Sequence, residues 1–397
     1  MFDHVAQAPA DPILGLLEAY RRDSNPNKID LTAGIYQDDT GNTPILASVK
    51  QAEAILLAQQ KTKQYLGIGG DTLYAELIKK LILGDDHALI KQNQVQTIQT
   101  PGGTGALRVA GELIKSLLPN ATLWLSSPTW NNHPHIFSAI NLPVAYYPYY
   151  DKNTQGLAFD AMLEALQQIP AGDVVLFHAC CHNPCGIDPT PLQWQQIADV
   201  AQSRGFLPFF DFAYQGFGKG LTEDAYAIRL FLEKGIEELL IASSYSKNFS
   251  LYSERTGALT MIGRNSEEAS RVVSQAKSLA RSNYSNPPSH GAAIVSLILS
   301  TPDLKKHWLT EVDIMRERIA KMRVLLVQGL HEKGAPFSFE FINQQYGMFS
   351  YSGLNAEQVG TLREKNSIYM LDSGRMSLCG INRHNVERLC DAIVSVL

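Results

Sequence analysis

Val95-Gln96-Thr97-Ile98-Gln99-Thr100-Pro101-Gly102-Gly103-Thr104-Gly105 is a β-rich run that breaks into a glycine turn, and Ala106 then opens an amphipathic stretch. Strand, glycine turn and helix in that order form the repeating unit of open α/β sheets. The alternation continues downstream. Strands are expected at Val95–Thr100, Thr122–Ser126, Val144–Tyr147, Val174–Cys180, Leu207–Phe212, Leu239–Ser243 and Ala258–Ile262. Seven strands within residues 95–263 predict one large α/β domain with a mostly parallel sheet covered by helices.

Outward from that block, both flanks carry helix-start signals. Asp11-Pro12 can cap a helix and enter it without losing a hydrogen bond, which leaves the first residues as an arm. Thr301-Pro302 repeats the signal, and Leu304, Trp308, Val312, Met315, Ile319, Met322 and Leu326 follow at spacings of three and four. That stripe predicts one helix of about eight turns, long enough to join two domains. Phe337–Ile342, Met348–Tyr351 and Ser367–Leu371 read as strands, and Asn385–Val396 as a closing helix. The expected organisation is an arm over 1–11, a small α/β domain built from 12–44 and 302–397, and a large domain over 45–301.

The 397 residues carry 34 Lys and Arg against 39 Asp and Glu, a net charge of −5 without a long run of either sign. A basic face for nucleic acid is therefore not expected. Charged residues make up 18% of the chain, below the roughly 25% usual for soluble domains, which suggests surface withdrawn from water in an assembly. The five cysteines are odd in number and three crowd together at Cys180, Cys181 and Cys185, so a reducing compartment fits better than a disulfide framework. No basic n-region or membrane-length apolar run is present, and the chain reads as cytoplasmic.

Several signatures can be set aside. His331-Glu332 lacks the second histidine of a zinc-protease helix, Gly218-Lys219 is followed by Gly220 rather than a hydroxyl residue, and no G-x-S-x-G occurs. Cys180 and Cys181, adjacent on an expected strand, would point to opposite faces, so no metal site is expected there. Pro101–Gly105 is a different matter: glycines and a helix N-terminus together can cradle a phosphate.

In an open α/β sheet, ligands gather beyond the carboxyl ends of the strands. Trp130 and His133 follow one strand, His182 and Asn183 another, Asp211 and Tyr214 sit at the end of a third, and Ser244, Ser246 and Lys247 follow a fourth, so all would meet at one rim. Asp211 sits in the apolar run Leu207-Pro208-Phe209-Phe210-Asp211-Phe212, where a carboxylate must be paired. Lys247 is a single lysine among small polar residues. Amine, buried carboxylate, stacking aromatic and phosphate cradle are the parts that a pyridoxal phosphate site requires.

These residues lie in motifs that resemble the class I aminotransferases of the fold type I pyridoxal-phosphate enzymes, most closely the bacterial aspartate aminotransferases. The motifs are Gly102-Gly103-Thr104-Gly105-Ala106-Leu107, Cys181-His182-Asn183-Pro184, Asp211-Phe212-Ala213-Tyr214-Gln215-Gly216-Phe217, Ser244-Tyr245-Ser246-Lys247-Asn248, Asn283-Tyr284-Ser285-Asn286-Pro287-Pro288 and Ser373-Gly374-Arg375. The resemblance runs nearly end to end and implies a homodimer with shared active sites, binding pyridoxal 5'-phosphate, amino acids and 2-oxo acids. It implies that Lys247 joins the cofactor as a Schiff base and shuttles a proton, that Asp211 keeps the pyridine nitrogen protonated, and that Tyr214 and Asn183 hydrogen-bond the phenolic oxygen. Trp130 would stack on the ring, with His133 and His178 behind Asp211. Gly103, Thr104, Ser244 and Arg255 would hold the phosphate, joined by Tyr65 of the neighbouring subunit. Arg375 would clamp the substrate α-carboxylate beside the Gly34 backbone, and Arg281 of the other subunit would meet a side-chain carboxylate.

The implied reaction is ping-pong transamination of L-aspartate with 2-oxoglutarate to give oxaloacetate and L-glutamate. The alternative is a broad aromatic aminotransferase acting on tyrosine and phenylalanine. Thr43, Thr104 and Asn286 match aspartate-type relatives, whereas Thr129 before Trp130 leans the other way. A lyase or decarboxylase on the same fold and a non-catalytic pyridoxal-phosphate-binding protein are the remaining readings. The chain departs from its relatives in Cys185 before Gly186, in Gly69-Gly70 and in Thr256 after Arg255.

Overall fold

The computed structural model describes residues 2–7 and 12–397, with side chains from Gly15 onward in the first helix. Asp11, the expected cap, lies outside the described residues, as does part of the expected arm; the helix itself runs Pro12–Arg22. The chain forms two compact units, Pro44–Glu317 and Met1–Thr43 with Arg318–Leu397.

The larger unit holds seven strands: β1 Val95–Pro101, β2 Leu123–Ser127, β3 Val144–Pro148, β4 Val174–His178, β5 Leu207–Phe212, β6 Leu239–Ser244 and β7 Thr256–Ile262. They make one sheet in the order β1-β7-β6-β5-β4-β2-β3, in which β7 alone runs antiparallel to its neighbours. Central β4, β6 and β7 are buried along their whole lengths, as continuous apolar strands between two helical layers must be. Ile98, Leu125, Leu176, Phe209, Ala242 and Leu259 form the core under helix α1, Gly102–Leu117, which contributes Leu107, Ala110 and Leu113. Full burial of one Leu, Ile or Phe side chain contributes roughly 1.5–3 kcal/mol.

The reversed direction of β7 has a consequence for function. Its first residue, Thr256, pairs with Pro101 at the end of β1, and Gly257 pairs with Ser244 at the end of β6. Arg255 is thereby delivered to the same rim as the carboxyl ends of the other strands.

Local chemistry sets the element ends. Thr190 and Gln193 form a capping box around Pro191 at the start of helix Pro191–Arg204, and Gly205 at φ +70° ends it. Asn265 caps Ser266–Asn283 through the Glu268 N–H.

In the smaller unit, Ile29–Asp30 pairs in parallel with Ile368–Tyr369, and Phe349–Tyr351 pairs antiparallel with Arg375–Ser377. Asn355 and Gln358 form a capping box for Ala356–Asn366, and Val386–Val394 is the closing helix. Helix α2, Pro302–Glu332, has 31 residues, and every member of its predicted stripe from Leu304 to Leu326 is buried. The two units divide within α2, between Glu317 and Arg318, whereas the sequence reading set the boundary at residue 302.

One expected strand is absent. Phe337–Ile342 is irregular and leads into a 3₁₀ turn at Glu340–Gln344. The alternating phenylalanines mimic a strand, but their rings pack on each other, Phe337 stacked on Phe339 at 4.9 Å and Phe339 tilted against Phe341 at 5.8 Å. Ser338 Oγ takes the Glu340 N–H and turns the backbone. Among the described residues, no helix is long and apolar enough to cross a membrane.

Candidate active site

Lys247 lies in a turn just beyond β6, with its Nζ 5.4 Å from the centre of the Tyr214 ring. Desolvation lowers its pKa to about 8; Asp211 pulls the value up and Arg255 pulls it down. The amine is thus much closer to its neutral, nucleophilic form at pH 7 than an ordinary lysine.

Asp211, at the end of β5, accepts a hydrogen bond from His133 Nε2 at 2.9 Å. Burial pushes its carboxyl up, but the His133 hydrogen bond, with Lys247 among the smaller contributions, outweighs burial and holds the pKa below the ordinary value. The carboxylate is ionised at neutral pH.

A chain of bonds runs on from His133. Its Nδ1 lies 2.7 Å from Thr129 Oγ1, which lies 3.2 Å from His178 Nε2, and His178 Nδ1 accepts the Asn183 N–H at 3.4 Å. An amide N–H can only donate and a carboxylate only accept, so His178 Nδ1 is an acceptor and its Nε2 carries the proton toward Thr129 Oγ1, while His133 Nε2 donates to Asp211. His178 must then be neutral, and burial does lower its pKa to about 3. Trp130 meets His133 edge to face at 5.3 Å.

At the other end of the rim, α1 begins at Gly102, earlier than the expected Ala106, so the glycines form its first turn. No side chain caps this helix, which leaves its first N–H groups for an anion. The glycines are needed for close approach. A Cβ on Gly102, at φ +74°, would sit 2.5 Å from Arg255 Nη2, and one on Gly103 would sit 3.0 Å from Ser244 Cβ. Ser244 Oγ lies 3.2 Å from Ser246 Oγ, and Arg255 Nη1 donates to Tyr252 O at 3.0 Å. Arg255 makes no ion pair among the described residues, so its charge is available to a ligand.

These residues fit pyridoxal phosphate. An amine near neutrality stands beside an ionised carboxylate, an uncapped helix start faces Ser244 and Arg255, and Asn183 Oδ1 is buried without a partner. The Asn183 amide therefore has hydrogen-bonding capacity to spare for a ligand.

Tyr65 is 92% exposed and Arg281, in the last turn of Ser266–Asn283, is exposed with its guanidinium on Ser285 Oγ. Asn286 Nδ2 donates to Leu66 O at 3.1 Å, which holds the Tyr65 segment beside the turn that follows Arg281. The glycine pair after Tyr65 is held closely: Gly69 O accepts the Gln99 N–H at 2.9 Å, and a Cβ on Gly70 would collide with the Gln99 side chain.

In the smaller unit, Arg375 is 3% exposed, donates to Thr32 O at 2.6 Å, and lies over the Phe349 ring at 4.3 Å. Gly34 abuts the same ring, where a Cβ would sit 2.9 Å from Phe349 Cζ.

The vicinal cysteines depart from expectation. β4 ends at His178 and Cys181 turns to φ +51°, so the strand argument fails and the two sulfurs lie with an Asp224 oxygen within 4.8 Å of one another. The Asp224 carboxylate is already engaged by the N–H groups of Gly216, Gly218 and Lys219. All five cysteines are buried, and none is in a disulfide.

Sequence reasoning did not assign roles to Thr129 in the proton chain or to Ser246 beside Ser244. Thr129 stands four residues before His133, a spacing that becomes visible only once both are known to face one carboxylate.

Three comparisons bear on this site. The sequence model of the aminotransferase class I and II family matches residues 26–393. The chain is 50% identical over 397 residues to the aspartate aminotransferase of Salmonella typhi, covering 100% of both. It is 47% identical over 395 residues to the aromatic-amino-acid aminotransferase of Pseudomonas aeruginosa, covering 100% of this chain and 98% of that one. Among solved structures, the aromatic-amino-acid aminotransferase of Burkholderia pseudomallei covalently bound to pyridoxal phosphate superposes with a TM-score of 0.98 at 44% identity, covering 100% of this chain and 99% of the other.

Proposed function

The chain belongs to the class I and II aminotransferases, and from that membership we propose that it transfers the amino group of L-aspartate to 2-oxoglutarate, giving oxaloacetate and L-glutamate. Pyridoxal phosphate, the cofactor, supplies an electrophilic aldehyde carbon and an electron-accepting ring. The observation that carries the reading is the low-pKa amine of Lys247 beside ionised Asp211, on the rim that also bears the Gly102–Arg255 anion cradle.

Each residue then has a task. The neutral amine of Lys247 would hold the cofactor at its aldehyde carbon, the aldehyde oxygen leaving as water, and once displaced by the substrate amine its Nζ would take the proton from the substrate Cα. Asp211 accepts a hydrogen bond from the pyridine N–H and keeps that proton in place. The hydrogen bond from His133 Nε2 helps to keep it ionised against the cost of burial. Tyr214 and Asn183 hydrogen-bond the phenolic oxygen, and Trp130 covers the ring. Gly103, Thr104, Ser244 and Arg255 bind the phosphate, Arg255 through paired N–H groups.

Substrate binding falls to the arginines. Arg375 binds the α-carboxylate, its planar group steadied by Phe349 and Thr32, with the Gly34 backbone beside it. Arg281 and Tyr65, exposed on neighbouring segments, serve the site of a second copy, Arg281 meeting the side-chain carboxylate and Tyr65 the phosphate. The active form is thus a homodimer. Thr129 faces the histidines, so its presence before Trp130 does not favour aromatic substrates. Five buried cysteines outside any disulfide suit the reducing cytoplasm.

The test is borohydride reduction of the loaded protein followed by peptide mapping, with a parallel assay of oxaloacetate from aspartate. Label on Lys247 with oxaloacetate formed is expected. Label elsewhere would overturn the mechanism, and label without oxaloacetate would overturn the substrate.

A further inference from the structure

Asn183 stands on a turn that a carboxylate closes. Cys181 holds a left-handed backbone, φ +51°, which a non-glycine residue keeps only when its surroundings enforce it. Asp188 supplies that force. Its Oδ2 accepts the Cys181 N–H at 2.7 Å and its Oδ1 accepts the His182 N–H at 2.9 Å, so one carboxylate grips two successive amides.

The rest of the turn is braced around that grip. His182 stacks on Tyr149 at 3.8 Å, its Nε2 lies 2.9 Å from Ser126 Oγ, and its Nδ1 lies 3.1 Å from Cys185 Sγ. Gly186 N–H donates to His182 O at 2.7 Å and Tyr149 OH donates to Ile187 O at 2.8 Å. Asn183 is thereby set between a fixed His182 and a fixed Gly186; its Oδ1 is buried and unpartnered, and its Nδ2 group is the donor that an ionised phenolic oxygen requires.

We propose that Asp188 is the positioning residue for Asn183, its two-oxygen grip on the Cys181 and His182 amides holding the Asn183 side chain toward the phenolic oxygen of the cofactor. The inference rests on the cofactor reading given above. Two acceptor oxygens are essential to it. Asparagine at this position would set one oxygen and one NH₂ group against two N–H donors, and one amide would lose its partner. Burial pushes the Asp188 carboxyl up to about 6, with Asp224 adding to the rise and Lys219 opposing it, so at neutral pH it is still an ionised acceptor.

The test is a pH titration of the bound cofactor's visible absorption in the holoenzyme, for the native chain, Asp188→Asn, Asn183→Ala and the double variant. A weakened hydrogen bond to the ionised phenolic oxygen raises its pKa, so Asp188→Asn is expected to move the midpoint up by at least about 0.5 unit. Asn183→Ala is expected to move it at least as far, and the double variant no further than Asn183→Ala alone. No shift in Asp188→Asn, or additive shifts in the double variant, would overturn the proposal. Should Asp188→Asn not fold, Asp188→Glu keeps both oxygens on a longer arm and is expected to shift the midpoint in the same direction by less; an unchanged midpoint there counts equally against it. Borohydride mapping of the native chain separates the two ideas: no label on Lys247 removes the cofactor reading, whereas label on Lys247 without a shift removes only the role of Asp188.

Discussion

Lys247 can attack an aldehyde only as the neutral amine. At a pKa of about 8, about one molecule in ten is neutral at pH 7, against about one in three thousand for a lysine at its ordinary value. Capture of pyridoxal phosphate by the apoprotein is therefore expected to speed up about tenfold between pH 6 and pH 7 and to level off above about pH 8, as followed by stopped-flow absorbance. A rate still climbing tenfold per unit at pH 10 would mean that the site does not depress this pKa. Arg281 has no carboxylate partner within its own chain among the described residues, only Ser285. Arg281→Ala is expected to lower the aspartate-to-tyrosine ratio of kcat/KM by at least about thirtyfold; an unchanged ratio would take dicarboxylate preference away from this residue.

At the scale of elements, the first turn of α1 and the start of β7 together make the anion cradle. They approach most tightly at Gly102, which a Cβ on Gly257 would strike at 2.3 Å; the positive φ of Gly102 strains any side chain there, and a Cβ would push the Arg255 guanidinium, 2.5 Å away, out of its place. Gly102→Ala is expected to raise the Kd for pyridoxal phosphate by about tenfold or more, which is about 1.4 kcal/mol, while apoprotein melting falls by only a few degrees. Fluorescence titration of the cofactor checks the first effect and calorimetry the second; an unaltered Kd would place the phosphate elsewhere. The same elements show how far sequence carries. The seven sheet strands and the 31-residue helix were legible because apolar side chains recur at the period of each structure. Phe337–Ile342 misled for the same reason, since alternating phenylalanines have the period of a strand while Ser338 turns the backbone beneath them.

For the whole molecule, the proposed completion of the site by Tyr65 and Arg281 of a second copy would account for a chain with only 18% charged residues. It also has a quantitative consequence. Lys247→Ala and Arg281→Ala would each disable every site in their own homodimers for aspartate. Equal mixing, with unfolding and reassembly, gives half hybrid dimers, and each hybrid has one site with both residues native. On the order of a quarter of native aspartate activity is expected from the mixture, measured after refolding at equal protein concentration. Recovery near zero would mean that Arg281 serves its own chain.

Sequence alone determined the alternation of strands and helices, the glycine turn after Val95–Thr100, and the placing of Asp211 at a strand end and Lys247 beyond one. Each is a short-range pattern, written in residues a few positions apart. Only the tertiary structure decided that Thr129 links His133 to His178, that antiparallel β7 brings Arg255 to the rim, and that Cys180 and Cys181 converge on Asp224. It also decided that Asp188 closes the turn under Asn183. The physical reason is that a hydrogen bond depends on where two groups lie and which of them donates. Strand order, a reversed strand or a single left-handed residue such as Cys181 sets that geometry without leaving a periodic mark on the chain.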